Sequence, residues 1–434
     1  MPAPEGRLAC IVTFGCPKNE TDSEGFAAVL SAAGWTIVRE PEEADLLVLN
    51  TCAFIGPAVE ESTGYLMEAM DWRNRRNGRR LVLAGCLPAR YPDDGSGGLE
   101  GIDLVVGPGD ADTLARWLDV PVPPGLQHPL ESRTNRFLKI SDGCSNNCSF
   151  CTIPAIRGPY RAVDSLTLAE SAARLADQGA AEVGLVGQDC GLWSDGDAGL
   201  AELVEGLALR HSRIWWRCYY IHPAHLPDRL IGVMESNENV MPYLDLPMQH
   251  ASDRVLSRMG RPYGEAELRS ILDSVESAGR EIAVRATLIA GYPGETESDF
   301  KRLLRLLQDY PCIRNIVAFS YCSEPGTPEH LRDGDRPAPE VVQARLAALS
   351  SAADAAWLRW GDRLEGRKLP VLVDEPAEGH TMYDAPGVDC ICHLQGAARG
   401  PGTVCAAKVM SVRGSDIFLT CAGGGEGPAA EEKT

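Results

Sequence analysis

The chain of 434 residues is long enough for two or three domains that each bury a hydrophobic core. Its formal net charge of −20 argues against broad nucleic-acid binding, which depends on Lys and Arg contacts with phosphates. No apolar stretch approaches the length that spans a bilayer, and residues 1–6 lack the basic and apolar parts of a signal peptide, so we expect a cytoplasmic protein that does not associate with membranes.

The first part of the chain predicts an α/β domain. Three apolar, strand-like runs alternate with helical patterns: Arg7–Phe14, Asp45–Asn50 and Arg80–Ala84. The first predicted helix spans Asp22–Ala33, with Thr21 as its N-cap. Continuous apolar strands separated by helices indicate a parallel sheet that is buried on both faces.

A cysteine closes each of these three strands: Cys16, Cys52 and Cys86. The carboxyl ends of the strands in a parallel sheet share one edge, and ligands bind at that edge. We therefore expect the three thiols to converge on one inorganic centre. The alternative is that all three are small buried hydrophobic residues, which is a common role of cysteine.

Pro121–Gly125 is rich in breakers and predicts a domain boundary. After it, six strand–helix units fall short of the eight that close a full barrel, which predicts an open, partial (βα)6 barrel of the TIM type. The predicted strands are Phe137–Ser141, Glu182–Gly187, Ile214–Ile221, Tyr243–Leu246, Ile282–Ile289 and Asn315–Tyr321. The predicted helices include Leu166–Gln178, Leu200–Arg210, Glu265–Ser277 and Glu297–Gln308.

The C-terminal part predicts a long helix and then a small antiparallel β-barrel. The helix runs from about Pro339 to Trp360, and short apolar runs follow it at Leu369–Asp374, Thr403–Val412 and Ile417–Cys421. The predicted domains are residues 6–120, 130–361 and 364–424, and a tail at 425–434 without hydrophobic residues is expected to be disordered.

Cys144, Cys148 and Cys151 form a CxxxCxxC triplet directly after the first strand of the predicted barrel. Three thiolates suit a 4Fe–4S cube with one iron left open to another ligand. Two or four cysteines would suit a disulfide or a closed zinc site better, and a structural zinc knuckle is the alternative. The other nine of the 15 cysteines are assigned no role.

This triplet, followed by a partial barrel, resembles the radical S-adenosylmethionine (SAM) superfamily. The resemblance implies that the open iron binds SAM and that an electron from the cluster cleaves SAM to methionine and a 5′-deoxyadenosyl radical. It also implies that residues around the cluster contact SAM, and the candidates are Phe150, Gln188, Arg285, Gly291 and Glu295.

Residues 7–421 together resemble the methylthiotransferase family. In that family a domain with three dispersed cysteines precedes a radical SAM barrel and a C-terminal TRAM β-barrel. The resemblance implies that Cys16, Cys52 and Cys86 hold an auxiliary 4Fe–4S cluster that carries the sulfur. It also implies the use of two SAM molecules, one to methylate that sulfur and one to generate the radical.

Short motifs are similar to the RimO branch of this family. Gly15–Asn19 reads Gly-Cys-Pro-Lys-Asn, whereas the tRNA-modifying MiaB branch usually has Gln and Met between that cysteine and asparagine. Asn50–Ile55, Gln249–His250 and Tyr383–Pro386 also resemble RimO, although His380 stands where arginine is usual. The resemblance implies methylthiolation of the β-carbon of an aspartate in small-subunit ribosomal protein S-twelve, with ferredoxin or flavodoxin as low-potential electron donor and a separate sulfur donor.

The charge of the C-terminal barrel gives an independent indication of the substrate. Residues 365–421 contain seven acidic and five basic side chains, which leave a net charge of −2. A barrel that binds tRNA should carry clustered Lys and Arg, whereas one that binds a basic ribosomal protein does not need them. The alternatives are a tRNA (N6-isopentenyladenosine) methylthiotransferase of the MiaB type, an iron–sulfur redox sensor that binds RNA, and a zinc-binding scaffold.

Overall fold

The computed structural model describes residues 7–92, 100–123, 125, 128–130, 133–332, 334–396 and 400–421. The predicted tail at 425–434 lies outside the described residues, as does the end of the third predicted domain. None of the helices in these described ranges combines the length and the apolar character needed to cross a membrane.

Residues 8–118, called the N-terminal unit below, form a parallel sheet with the spatial order β2-β1-β3-β4-β5. Its strands are β1 (Leu8–Thr13), β2 (Thr36–Val38), β3 (Leu46–Thr51), β4 (Arg80–Gly85) and β5 (Leu104–Val106). Alternate residues of β3 enter different hydrophobic clusters. Val48 packs with Phe26, and Leu49 packs with Trp72. The predicted parallel sheet with two buried faces is therefore confirmed.

The helices of this unit are α1 (Pro17–Ala32), α2 (Gly56–Asn74), α3 (Cys86–Arg90) and α4 (Ala111–Leu118). The predicted start of the first helix at Asp22 is wrong, because Cys16 is the N-cap residue and Pro17 occupies the first helical turn. Proline is pre-organised for that position because its φ is fixed and it needs no hydrogen-bond acceptor. Thr21 is therefore not a cap, and its hydroxyl donates to the carbonyl of Lys18 at 2.7 Å.

Residues 135–364, called the partial barrel, contain six parallel strands in the order β15-β14-β13-β12-β9-β6. Each predicted strand overlaps an observed one, so the open barrel is confirmed. The six strands are β6 (Asn135–Lys139), β9 (Glu182–Val186), β12 (Trp215–Cys218), β13 (Val240–Gln249), β14 (Ala283–Ala290) and β15 (Ile313–Ser320). Two short antiparallel pairs complete the strands of this unit: β7 (Ser141–Asp142) with β8 (Arg161–Ala162), and β10 (Ser194–Asp195) with β11 (Ala198–Gly199).

Two strands differ from the prediction by three residues at an end, β13 and β12. β13 continues through Pro242 and Pro247, which flank the predicted Tyr243–Leu246, and its pairing with β14 is irregular between Leu246 and Gln249. Proline cannot donate to the ladder and so occurs at such irregular places. β12 ends at Cys218, before Tyr220 adopts a φ of +54°.

Several helices of the partial barrel pack against its strands, and α5, α8, α9 and α12 were not among those predicted. They are α5 (Ile153–Arg157), α6 (Ser165–Asp177), α7 (Leu200–Arg210), α8 (Asp228–Ser236), α9 (Asp253–Arg258), α10 (Glu265–Glu276), α11 (Glu297–Asp309), α12 (Pro328–Leu331) and α13 (Pro339–Leu364). The last of these is the predicted long helix, and it ends four residues after Trp360.

A closed β-barrel ends the described chain, with its strands in the order β16-β17-β18-β20-β19. The strands are β16 (Lys368–Glu375), β17 (Glu378–Thr381), β18 (Ile391–Gln395), β19 (Val404–Arg413) and β20 (Asp416–Cys421). The predicted small barrel is confirmed, but it is not antiparallel throughout, because β18 and β20 pair in parallel. Trp215 and Ala283, which begin β12 and β14, share a hydrophobic cluster with Val371. This C-terminal barrel thus covers the amino-terminal end of the partial barrel.

Candidate functional site

The three dispersed cysteines lie together at the carboxyl edge of the N-terminal sheet. Cys16 follows β1, Cys52 and Cys86 directly follow β3 and β4, and these strands are neighbours. Burial raises the pKa of the Cys86 thiol to about 11; Arg157 opposes this rise, whereas Cys52 and Cys16 add to it. The structure therefore brings the three thiols into electrostatic range of one another. Their role as cluster ligands stays a prediction.

Two glycines allow the strand ends to come this close. A Cβ atom on Gly15, whose φ is +99°, would lie 2.9 Å from the Cβ of Cys52. A Cβ atom on Gly85, whose φ is +91°, would lie 2.6 Å from the carbonyl oxygen of Thr51. Both positions therefore require glycine for space as well as for backbone conformation.

Two buried asparagines connect the strand ends to α1. The amide of Asn19 donates to the carbonyls of Phe14 at 2.7 Å and Thr51 at 3.0 Å. The amide of Asn50 donates to the carbonyl of Asn19 at 2.9 Å and to the Ser23 hydroxyl at 2.8 Å. These contacts hold the loops that carry Cys16 and Cys52 in one arrangement.

Arg157 extends from α5 of the partial barrel into the dispersed cysteine set. Its Nη2 donates to Oδ1 of Asn19 at 2.6 Å and to Oδ2 of Asp22 at 3.0 Å, and it lies 3.8 Å from the sulfur of Cys86. A buried guanidinium beside thiols favours their thiolate form. The donor set and its charge therefore fit an iron–sulfur cluster, whose ligands are thiolates.

The second cysteine set lies in the loop between β7 and α5, at the carboxyl end of β6. Burial raises the pKa of Cys151 to about 12, and the neighbouring thiols of Cys148 and Cys144 add to the rise. The loop is held by the backbone N–H of Cys144, which donates to Gly158 at 3.1 Å, and by that of Ser149, which donates to Met259 at 2.9 Å. One buried and two half-buried thiols in one loop also fit a cluster with an open iron.

The two cysteine sets lie on opposite sides of one seam between the N-terminal unit and the partial barrel. The hydroxyl of Thr152, next to Cys151, donates to the carbonyl of Phe54 at 2.9 Å, and Phe54 lies two residues after Cys52. Cys86 packs with Ile156 of α5 in one small hydrophobic cluster. The loops that carry the two sets are therefore in direct contact.

The structure places two of the five predicted SAM contacts near the second set. Both polar atoms of the buried Gln188 amide lack a hydrogen-bond partner among the described residues. Gln188 is adjacent to Asp189, which accepts a hydrogen bond from Asn146 of the cysteine loop at 2.7 Å. Phe150 packs edge-on against Tyr292, with ring centroids 6.2 Å apart. A buried amide without a partner fits a polar ligand such as SAM.

The other three candidates have partners within the protein. Arg285 forms ion pairs with Asp245 at 3.3 Å and with Asp389 at 3.1 Å. Glu295 pairs with Arg345 at 3.1 Å and accepts the backbone N–H of Gly291 at 2.5 Å. A Cβ atom on Gly291 would lie 2.6 Å from Val342 of α13, so this glycine serves close packing. A contact of these residues with SAM stays a prediction.

Sequence reasoning missed several polar residues that follow strand ends. Nδ1 of His225 lies 2.7 Å from Oδ2 of Asp189, and its ring stacks on His222 with centroids 4.8 Å apart. Burial, together with Arg261, lowers the pKa of His222 to about 3, so this imidazole is neutral. Lys18 reaches across the seam, with its ammonium 3.3 Å from the ring centroid of Tyr220. Their positions directly after β9, β12 and β1 are the signal that could have identified them.

Two family models match the chain. Residues 9–107 match the Uncharacterized protein family UPF0004, and residues 138–307 match the Radical SAM superfamily. The first matched range contains Cys16, Cys52 and Cys86, and the second contains Cys144, Cys148 and Cys151.

Curated relatives match over nearly the whole chain. The ribosomal protein uS12 methylthiotransferase RimO of Moorella thermoacetica is 36% identical over 94% of this chain and 98% of the relative. The protein of the same name from Desulforudis audaxviator is 35% identical over 95% of this chain and 96% of the relative.

A solved structure shares the fold at low sequence identity. The radical S-adenosylmethionine methyltransferase TsrM from Kitasatospora setae, with cobalamin and a [4Fe-4S] cluster bound, superposes with a TM-score of 0.57 at 15% identity. The match covers 76% of this chain and 78% of the TsrM chain. At this identity the similarity concerns the fold alone.

Proposed function

Because the chain belongs to the family of ribosomal protein uS12 methylthiotransferases RimO, we propose that it transfers a methylthio group to the β-carbon of an aspartate in ribosomal protein uS12. The chain is an enzyme of the radical SAM methylthiotransferase class. The observation that carries the proposal is the seam at which two sets of three buried or half-buried cysteines adjoin through the contact of Thr152 with Phe54.

Each cysteine set is proposed to hold one 4Fe–4S cluster, with Cys144, Cys148 and Cys151 as ligands of the SAM-binding cluster and Cys16, Cys52 and Cys86 as ligands of the auxiliary cluster. Three thiolates per cluster leave one iron open in each. When bound, the SAM-binding cluster would supply the electron that cleaves SAM to methionine and a 5′-deoxyadenosyl radical, and the auxiliary cluster would supply the sulfur of the methylthio group.

The protein's own residues bind, orient and enclose these groups. Gln188 is proposed to hydrogen-bond the polar end of SAM, because its buried amide otherwise has no partner among the described residues. Phe150 is proposed to pack against the adenine, next to Tyr292. Arg157 offsets the negative charge of the auxiliary site through its position beside Cys86. Burial of both cysteine loops limits the access of water to the radical.

The partners follow from this chemistry and from the charge of the chain. The reaction needs low-potential electrons, for which we propose a ferredoxin or a flavodoxin, and it needs a sulfur donor. A net charge of −20 favours encounter with a basic ribosomal protein in the cytoplasm. We propose that residues 6–120 carry the auxiliary cluster, residues 130–361 bind SAM, and residues 364–424 form the TRAM domain.

The test is mass spectrometry of both candidate substrates in a strain that lacks this gene, before and after the gene is restored. We expect uS12 to lose its methylthio-aspartate and to regain it on complementation, while tRNA remains unchanged. Anaerobic reconstitution with iron, sulfide, SAM and purified uS12 should then yield 5′-deoxyadenosine and modified aspartate. Loss of methylthio-adenosine from tRNA with unaltered uS12 would contradict the proposal and support the MiaB-type alternative.

A further inference from the structure

Lys18 is a buried cation at the seam that has no carboxylate partner among the described residues. The residue is 9% exposed, and the interactions that favour its charge come from the thiol of Cys16 and the ring of Tyr220. Its close contact is with the ring face of Tyr220, whose centroid is 3.3 Å away. A cation on an aromatic face is stabilised only in part, and a buried charge normally has a counter-charge.

Three neighbouring cations are paired with carboxylates. Arg157 binds Asp22 at 3.0 Å and Asp142 at 3.1 Å. Lys139 also pairs with both of these aspartates. Arg285 is paired with two other carboxylates on the barrel side. Lys18 differs from these three cations. Arg261, beside the cysteine loop of the barrel, is the other buried cation near the two sets that has no carboxylate partner among the described residues.

Lys18 is positioned at both of its ends, by the helix that carries its backbone and by the ring of Tyr220 that contacts its ammonium. Lys18 lies in the first turn of α1, two residues after Cys16. Tyr220 has a φ of +54°, an unfavourable conformation for a bulky residue that the surrounding structure must hold. The backbone N–H of Tyr220 donates to Asp245 at 3.2 Å, and its carbonyl accepts the N–H of Cys190 at 3.0 Å. The ammonium is thus fixed where the dispersed cysteine set meets the carboxyl edge of the barrel.

We propose that the Lys18 ammonium binds the side-chain carboxylate of the substrate aspartate and positions its β-carbon between the two cysteine sets. The inference rests on the proposed function. The β-carbon is bonded directly to the carboxylate carbon, so a cation that binds the carboxylate restricts the carbon that reacts. A charge-assisted hydrogen bond from a buried ammonium also rejects an uncharged side chain, because the ammonium would then stay unpaired.

A double-mutant cycle tests the contact. Binding of uS12 to the cluster-loaded enzyme is measured anaerobically by fluorescence anisotropy, for native uS12 and for uS12 with the target Asp→Asn substitution. The wild-type enzyme should bind the Asn form roughly 10- to 100-fold more weakly, the range for a hydrogen bond between charged groups. Lys18→Met should bind both forms equally and weakly, and Lys18→Arg should restore part of the preference for aspartate.

Lys301→Met is the matched control, because Lys301 undergoes the same loss of charge on an exposed helix face, where its side chain is 59% exposed. This variant should discriminate between the two substrates as the wild type does. The iron content of each variant separates substrate binding from cluster retention. Lys18→Met should keep the iron of the wild type and should still cleave SAM.

Two results would overturn the inference. One is a Lys18→Met enzyme that retains the wild-type preference for aspartate or loses it only together with iron. The other is a wild-type enzyme that binds the Asp and Asn forms of uS12 equally. This second measurement does not depend on whether the Lys18 variants fold. Failure of the proposed function is a separate result, in which the wild-type enzyme leaves uS12 unmodified.

Discussion

His380 should make the stability of the contact between the C-terminal barrel and the partial barrel depend on pH. Its Nε2 lies 2.9 Å from Oε2 of Glu182, and its Nδ1 lies 2.8 Å from Oδ2 of Asp374. Burial opposes the charged imidazole, but Glu182 and Asp374 outweigh this effect and raise the pKa of His380 to about 9. The imidazolium is therefore part of a buried ionic contact between two units of the fold.

The sign and size of the effect follow from this pKa. A base whose pKa is higher in the folded state stabilises the fold while it is protonated. This stabilisation is complete below the ordinary pKa of histidine, about 6.5, and is lost as the pH rises through the pKa of the folded state. A difference of about 2.5 pH units corresponds to about 3 kcal/mol of unfolding free energy, lost between about pH 6.5 and pH 9. His380→Gln should remove most of this slope, and Glu182 would keep its ion pair with Arg217 at 2.8 Å.

Urea unfolding at pH 6.5, 8 and 9 measures this slope, with tryptophan fluorescence as a local probe. Trp215 packs edge-on against His380 at 5.9 Å between ring centroids. His380→Arg is the matched variant, because arginine stays charged across this range and should remain stable at pH 9. Equal pH slopes for the wild type and His380→Gln would refute the reasoning.

Three further predictions concern the two cysteine sets. Gly85→Ala should lower iron binding at the auxiliary site, because the new methyl group would lie 2.6 Å from the Thr51 carbonyl, and iron analysis measures this loss. Gly34→Ala is the control and should keep its iron, because its φ is also positive but the space around it is open. Arg157→Met should destabilise the protein by roughly 3 kcal/mol in urea unfolding, since it leaves buried Asp22 with one cation fewer. Gln188→Ala should raise the KM for SAM roughly tenfold at unchanged iron content, because one hydrogen bond to a charged ligand is lost.

The predictions from sequence succeeded where a local pattern determines the outcome. Apolar runs located the strands of the sheet and of the partial barrel, and the CxxxCxxC spacing located the cysteine loop. The start of α1 was missed because Thr21 is a plausible cap, whereas Pro17 and the strand end determine the helix start in the fold. β17 was not predicted, because its sequence Glu-Gly-His-Thr has no apolar run. Its histidine, His380, is buried through a contact with Glu182, which is distant in the sequence. The position of Lys18 after β1 is visible in the sequence, but its lack of a carboxylate partner among the described residues emerges only once the seam is formed.

The central claim is that each cysteine set holds one four-iron cluster. Mössbauer spectroscopy of the anaerobically reconstituted protein measures this most directly, for the wild type and for Cys86→Ala, Cys148→Ala and Cys10→Ala. Cys10 lies in β1, is 1% exposed and belongs to neither set, so its variant is the control. We predict two 4Fe–4S clusters in the wild type and in Cys10→Ala. Cys86→Ala should lose the auxiliary cluster and still cleave SAM, and Cys148→Ala should lose SAM cleavage. A wild-type protein that holds a single cluster, or zinc in place of iron, would contradict the account.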